Sequence, residues 1–346
     1  MRWSRVHVEA IGYELPEEKV RSTDLEARLA PLYESLRLQP GQLEALTGIR
    51  ERRVWPAGTR MSDVAAKAAR KALADAALDP HDLGAVVYAG VCKDDLEPAT
   101  ACAVAAALGT SPDAWVFDVA NACLGVLNGM VEIANRIELG QIHAGLVVSA
   151  ESSRHIVDQT IDRLLAAPSL EELRSCLATL TGGSGAVAVL LTDASLAKKR
   201  HRLLGGAALS APAHHGLCRW GPPAGLLGEM PSVANTDASA ILTHGVDLGK
   251  RTFARFLGAL DWQGADIDKV ICHQVGGGNR KAILGTLGID ERRDFSTFPT
   301  LGNMGTVALP ATAAIADQVG FLRAGDRVGF LGIGSGLNCL MLGVQW

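Results

Sequence analysis

The sequence predicts an α/β protein built from two similar halves, and three observations carry that expectation. Two strand-forming runs, DLGAVVYAG (Asp82 to Gly90) and DIDKVICHQ (Asp266 to Gln274), each pass from an Asp-led turn into an apolar strand. Each is preceded by a helix-patterned segment, SDVAAKAARKALADAAL in the first case and VDLGKRTFARFLGAL in the second. Two glycine turns also correspond, GGSGAVAVLL from Gly182 and GIGSGLNCLML from Gly332, each feeding an apolar strand. Apolar strands alternating with helices imply sheets covered on both faces. The repeat places one half at residues 1–195 and the other at 196–346. A length of 346 residues suits two domains or one large duplicated unit.

In the first helical segment Val64, Ala65, Ala68, Ala69, Ala72, Leu73 and Ala76 recur at helical spacing, and Pro80 is expected to end it. FDVANACLGVLNG then reads as the end of a strand (Trp115 to Val119), a small-residue turn holding Cys123, and a helix. Between strands at Leu146 to Ser149 and Ala186 to Leu191 a helical insertion is expected at about 151–180. Its SLEELRSCLATL carries a capping box, Ser169 with Glu172, and a stripe of Leu170, Leu173, Leu177 and Leu180. Ala211 to Thr236 is rich in Pro and Gly and reads as a long lid, binding loop or irregular surface. In the second-half helix Leu248, Phe253, Phe256, Leu257 and Leu260 mark the inner face.

Composition excludes several function classes. With a net charge of −4 and no basic stripe interleaved with aromatics, nucleic acid is not an expected partner. The densest basic cluster, GIRERRVW (Gly48 to Trp55), reads as a solvated face or an ion-pair site. No apolar run approaches the ~18 residues of a membrane helix. The seven cysteines form no C-x-x-C pair and the start MRWSRVHVEAIGYELP lacks a secretory core, so free thiols in a reducing cytoplasm are expected. His214 and His215 are adjacent and point apart, with no carboxylate at metal-motif spacing, so no metal is expected.

Four residues are placed where chemistry is possible. Cys123 stands at a helix start, where unpaired N–H groups and the positive dipole end favour thiolate, with Ala122, Gly125 and Gly129 leaving space around it. A buried structural cysteine is the alternative. His273 ends an apolar strand and runs into three glycines, exposing an imidazole beside backbone that a ligand can approach, or else it is a hydrogen-bonded structural histidine. Asn303, in LGNMGT, is either a turn and cap residue or a neutral donor aimed at an oxyanion. Ser335, in GIGSGLN, is expected to present its backbone N–H. A phosphate cradle is the rival reading there, and neither G-K-[ST] nor a helix with a ribose-binding acid follows to support it.

Taken together, the order Cys123, His273, Asn303 resembles the thiolase superfamily, and within it ketoacyl-acyl-carrier-protein synthase III. DVANAC resembles the nucleophile turn, CHQVGGGN the histidine strand, LGNMGT the asparagine turn and GIGSGLN the C-terminal glycine turn, while LTGIRERR is a further signature. The resemblance runs from about residue 6 to the C-terminus. It implies a thiolase-like duplicated five-layer αβαβα fold and a homodimer. KDDLEPATACAVAAALG, with Glu97 between Leu96 and Pro98, is similar to the acyl-CoA head-to-head condensing enzymes of bacterial olefin biosynthesis (the OleA type). Synthase III enzymes usually carry an apolar or aromatic residue at that position. In the OleA type this glutamate reaches the neighbouring subunit's active site, whereas apart from the resemblance Glu97 reads as a surface charge. The 211–236 segment is richer in Pro and Gly than that type.

The resemblance implies a mechanism. Cys123 accepts a fatty acyl chain from a thioester, with the oxyanion held by the N–H groups of Cys123 and Ser335. His273 and Asn303 hold the carbonyl oxygen of a second thioester as it becomes an enolate. If that thioester is an ordinary acyl-CoA, Glu97, desolvated and raised in pKa, is the implied base. If it is malonyl-acyl-carrier protein, decarboxylation supplies the enolate, the reaction is that of a decarboxylative 3-oxoacyl-acyl-carrier-protein synthase III, and Glu97 is incidental. Acyl transfer to an alcohol or amine, thioester hydrolysis, and non-catalytic acyl binding are the remaining readings. No resident cofactor is implied: CoA or phosphopantetheine arrives as the substrate's carrier, and the expected partners are acyl-CoA and acyl-carrier protein.

Overall fold

The apolar runs Ala85–Tyr88, Ala144–Glu151 and Gly185–Asp193 are buried along their whole lengths in the computed structural model, which describes residues 1–198, 201–222 and 233–346. Among the described residues nine strands form one sheet system: β1 (Val6–Glu14), β2 (Ala85–Tyr88), β3 (Trp115–Asp118), β4 (Ala144–Glu151), β5 (Gly185–Asp193), β6 (His201–Ser210), β7 (Lys269–Cys272), β8 (Arg327–Gly334) and β9 (Asn338–Gln345). Their order is β7-β8-β9-β6-β1-β5-β4-β2-β3. One pairing pattern occurs twice. β2 is parallel to β4, which is antiparallel to β5, which is antiparallel to β1. Likewise β7 is parallel to β8, β8 antiparallel to β9, and β9 antiparallel to β6. Among the described residues two pairs, His7 with Arg202 and Val8 with His201, join β1 to β6. Among the described residues β3 pairs with β2 alone and forms an edge.

Six helices cover these strands: α1 (Met61–Ala76), α2 (Thr100–Leu108), α3 (Gly125–Glu138), α4 (Ala238–Leu260), α5 (Gly277–Leu287) and α6 (Ala308–Gln318). α1 and α2 bury an alanine-rich face against Val86, Leu146 and Leu190 on one outer side. α3 and α6 lie between the two groups of strands, with Met130, Ile133, Leu309 and Ala313 packed against Val147, Val189, Phe330 and Leu342. α4 and α5 cover the other outer side through Leu248, Phe256 and Leu284. The result is the expected αβαβα stack, with its two inner helices beginning close together.

Three local expectations are corrected. α1 ends before Pro80, at Ala77, whose φ of 49° breaks the helix, and Pro80 opens a 3-10 turn instead. The insertion consists of two short helices, Arg154–Ala166 and Leu170–Cys176. Ser169 Oγ caps the second by accepting from Glu172 N at 3.0 Å, but the Glu172 carboxylate pairs with Arg163 Nε at 2.8 Å rather than returning to the cap. Of the segment expected to be loop, Pro212–Leu217 is a 3-10 helix, and Cys218–Gly221 pairs antiparallel with Val233–Thr236. Residues 223–232 lie outside the described residues. Among the described residues no helix is long and apolar enough to cross a membrane.

Candidate active site

Cys123 sits in a 3-10 turn, Ala122–Leu124, between the end of β3 and the start of α3. Ala122 has φ 43°, a left-handed conformation costing an alanine about 1–2 kcal/mol. The surroundings hold it there. Val126 N donates to Thr306 Oγ1 at 2.7 Å, Asn121 Nδ2 to Asn128 Oδ1 at 2.7 Å, and Asn338 Nδ2 to Asn121 Oδ1 at 3.0 Å. Asn338 opens β9, so this amide chain clamps the cysteine turn to the β8–β9 hairpin that bears Ser335. Gly125 does not leave open space as expected: a Cβ there would lie 2.4 Å from Ala89 O, so the glycine serves close backbone approach. Gly129 is equally tight against Val147.

The resting charge of Cys123 also differs from expectation. Burial pushes its thiol up to about 12, and Cys218 and Glu151 add to the push. A rise of that size corresponds to about 4 kcal/mol, whereas a helix end supplies about 0.3–1 kcal/mol at exposed sites and up to about 2 in favourable ones. Desolvation wins, and the resting group is a thiol. Because a raised pKa keeps the reactive anion scarce below it, alkylation of the unacylated protein by iodoacetamide should climb steadily from pH 7 to about 10. A plateau already reached near neutrality, followed by tryptic mapping to Cys123, is the outcome that contradicts this.

His273 follows β7, and its backbone N–H extends the parallel pairing by donating to Leu331 O at 3.0 Å. Burial pushes its imidazole down to about 4, so it is neutral. Nδ1 is buried without a partner among the described residues. An orphaned N–H is rarer than an orphaned acceptor, so the ring hydrogen belongs on Nε2 and the histidine is a donor there. Asn303 leaves a short helix, Phe298–Leu301, through Gly302 at φ 67°. Its N–H donates to Thr181 O at 2.9 Å, and its carbonyl accepts from Gly183 N at 2.9 Å. Its side-chain Oδ1 accepts from Gly305 N at 3.0 Å, which leaves Nδ2 as the available donor. Arg52, read from sequence as part of a solvated or ion-paired cluster, is buried and donates to Ser22 Oγ and Leu180 O at 3.1 Å each. It thereby supports the backbone to which Asn303 is pinned.

These pieces meet at one end of the stack. β8 ends at Gly334, where a Cβ would lie 3.4 Å from Cys123 N, and at Gly332 a Cβ would overlap Leu124. Ser335 begins the following turn, and its carbonyl accepts from Asn338 Nδ2 at 3.5 Å. The Cys123 turn packs against the Gly305–Val307 turn that follows Asn303, and His273 enters on the strand beside β8. Cys218, on the short hairpin, is near enough to act on the Cys123 thiol.

Glu97 does not join this group within one chain. It is exposed, beside Leu96 at 69% exposure, so its own chain does not supply the expected desolvation. Its loop is nevertheless well fixed. Asp94 accepts from Met61 N at 2.7 Å and pairs with Arg60, while Lys93 pairs at 3.1 Å with Asp118, which accepts from Thr100 N and Ala101 N. Sequence reasoning missed Glu151, a buried carboxyl at the end of β4 that burial pushes up to about 7. An acid closing an otherwise apolar strand, LVVSAE, was the available signal. It also missed the Asn121–Asn338 clamp.

Two family models match the chain: Thiolase, N-terminal domain, over residues 46–167, and 3-Oxoacyl-[acyl-carrier-protein (ACP)] synthase III C terminal, over residues 257–346. An acyl-CoA:acyl-CoA alkyltransferase of Shewanella oneidensis is 56% identical over 349 residues, spanning 100% of both chains. The enzyme of that name from Xanthomonas campestris is 35% identical, again over 100% of both. Crystal structures of X. campestris OleA match at 34% identity. The cerulenin-bound form has a TM-score of 0.94 over 100% of this chain and 98% of that one. A variant with bound lauric acid and lauroyl-CoA gives 0.93 over 99% and 100%. Forms of that OleA substituted at a glutamate and at a cysteine are also among the matches, the two residues standing as many positions apart as Glu97 and Cys123 do here.

Proposed function

The chain belongs to the acyl-CoA:acyl-CoA alkyltransferase family, acyltransferases of the thiolase fold, and from that premise we propose that it joins two fatty acyl-CoA molecules by Claisen condensation. The observation that carries this reading is the meeting of the Cys123, Asn303 and Ser335 turns beside the strand end that bears His273.

In the first half-reaction Cys123 attacks the acyl carbonyl, its thiol proton leaves with the departing CoA thiolate, and an acyl-cysteine forms. The N–H groups of Cys123 and Ser335 take the oxyanion. In the second, Glu97 removes the α-proton of another acyl-CoA while His273 Nε2–H and Asn303 Nδ2–H hold its carbonyl oxygen. The α-carbon bonds to the acyl carbon, the Cys123 sulfur departs and is reprotonated, and a β-ketoacyl-CoA with an α-alkyl branch remains. Two neutral donors suit this step, because each gains strength as the oxygen acquires charge.

The exposure of Glu97 on its own chain supports a base delivered to a second copy. The exposed Leu96 and Val91 on its loop, and Trp115 at 60% exposure on the open edge strand β3, offer that copy an apolar surface and unpaired backbone groups. We accordingly read the protein as a homodimer, working in the reducing cytoplasm for which its seven unpaired cysteines speak. CoA enters and leaves as substrate carrier, with no resident cofactor. Incubation with a single long-chain acyl-CoA should give a β-keto product, or the ketone formed from it by decarboxylation, detectable by mass. Dependence on a malonyl thioester would assign decarboxylative condensation instead, and free acid alone would assign hydrolysis.

A further inference from the structure

We propose that Glu151 is a positioning residue for the condensation step, fixing the arm that carries Glu97 and the turn that carries Asn303 relative to one another. This rests on the condensation reading above. Glu151 closes β4 at 5% exposure, and no salt bridge reaches it among the described residues. Oε1 accepts from Val91 N at 2.8 Å and Oε2 from Cys92 N at 3.1 Å, at the base of the loop leading to Glu97. On its other side, its Cγ lies 3.4 Å from where a Cβ would stand on Gly305. Gly305 is held at φ 56° and its N–H donates to Asn303 Oδ1, the bond that engages the amide oxygen and leaves Nδ2 as the donor. One side chain therefore touches both the donor turn of its own site and the root of the arm.

A carboxylate suits this place because two N–H donors need two acceptor oxygens. A glutamine would turn an NH₂ toward one of them. Burying an uncompensated carboxylate is costly, and structure alone does not require it here, since the rest of this corner is tied independently. Trp55 Nε1 donates to Glu151 O at 3.2 Å, and the Tyr88 hydroxyl donates to Cys92 O and Ala150 O.

The groups facing Glu151 also bear on its charge. Tyr88 on β2 and Cys92 on the arm are pushed well above their ordinary values, and Cys123 is pushed to about 12, so all three stay neutral near pH 7. Asp94, further along the arm, is paired with Arg60. His273 is held down to about 4. Glu151, raised to about 7 by burial, is the member of this cluster whose charge changes around neutrality. Ionised, it accepts both N–H groups. Protonated, it turns an O–H toward one of them and loosens the arm.

The test separates the two half-reactions of the full-length protein given one acyl-CoA, following acyl-enzyme by intact mass and product by mass analysis. Glu151→Gln should retain acylation of Cys123 and lose condensation by about 100-fold, the usual cost of misplacing a reacting group by about 1 Å. In unsubstituted protein loaded with an acyl chain beforehand, the rate of condensation with a second acyl-CoA should rise from about pH 6 to about pH 8, and in Glu151→Gln that rise should vanish. Equal losses in both half-reactions, or a condensation rate from the loaded enzyme that is flat with pH in the unsubstituted protein, overturn the assignment. The second readout needs no variant to fold. Glu97→Gln run in parallel keeps the two ideas apart. Condensation lost there but intact in Glu151→Gln removes only this inference, whereas condensation intact in Glu97→Gln removes the base on which the underlying reading depends.

Discussion

Glu97→Gln should leave the protein able to load an acyl chain onto Cys123 and unable to make the carbon–carbon bond. The substitution keeps size and hydrogen-bonding reach and removes the one side chain this reading supplies to take the α-proton. General-base catalysis contributes about 10²–10⁴-fold, so product formation should fall into that range while acyl-enzyme accumulates to full occupancy. The partition is specific. A malonyl-dependent enzyme obtains its enolate by losing carbon dioxide and would be indifferent to the change. Intact mass after incubation with a single acyl-CoA reads the loaded state, and product mass reads the condensation. Normal condensation by this variant would reject Glu97 as base. Its exposure on the isolated chain adds an internal control. If the base reaches its site only across a subunit interface, condensation should weaken on dilution below the dimer constant in unsubstituted protein, with acylation persisting.

How much of this was legible beforehand follows the range of each interaction. Helix α1 was readable residue by residue, because every position assigned to its inner face, from Val64 to Ala76, obeys a local period and is buried. The duplicated strand order was readable for the same reason: β2 with β7, and β5 with β9, announce themselves by matched turns and apolar runs. The position of Cys123 at the head of a helix was also local. Its protonation state was not. The carboxyl of Glu151 and the thiol of Cys218 reach it only through tertiary folding, and they combine with desolvation to outweigh the helix end that the sequence advertises. Gly125 and Gly129 were misread for a related reason, since a glycine beside a nucleophile looks like space until Ala89 O and Val147 are found against it. Arg52 reads from the sequence as solvated or ion-paired charge because three arginines in four residues usually are, yet its partners Ser22 and Leu180 lie in distant segments. Glu97 is the converse. The residues around it suggest only a surface charge, which its exposure on the single chain matches, and a role across a subunit interface was legible through the family resemblance alone.

Cys123→Ala should abolish acyl-enzyme, with turnover falling by about 10⁶-fold, the scale seen when a nucleophile is removed outright. Radiolabelled acyl chain still covalently bound to this variant would assign the nucleophile elsewhere. The more decisive experiment pairs it with Glu97→Gln. Each variant alone lacks an element of every site, so each homodimer should be silent. If Glu97 serves the partner's cysteine, a mixed dimer places the intact Cys123 of the Glu97→Gln chain opposite the intact Glu97 of the Cys123→Ala chain, restoring one site of two. Random reassortment of equal amounts makes half the dimers mixed, so about a quarter of the unsubstituted activity should return. Mixing Cys123→Ala with a Cys123→Ala/Glu97→Gln double variant should restore nothing. If the glutamate instead acts within its own chain, every site in the mixture is deficient and both mixtures stay silent. The recovered fraction thus reports which chain supplies the base without requiring either substitution to be rescued chemically.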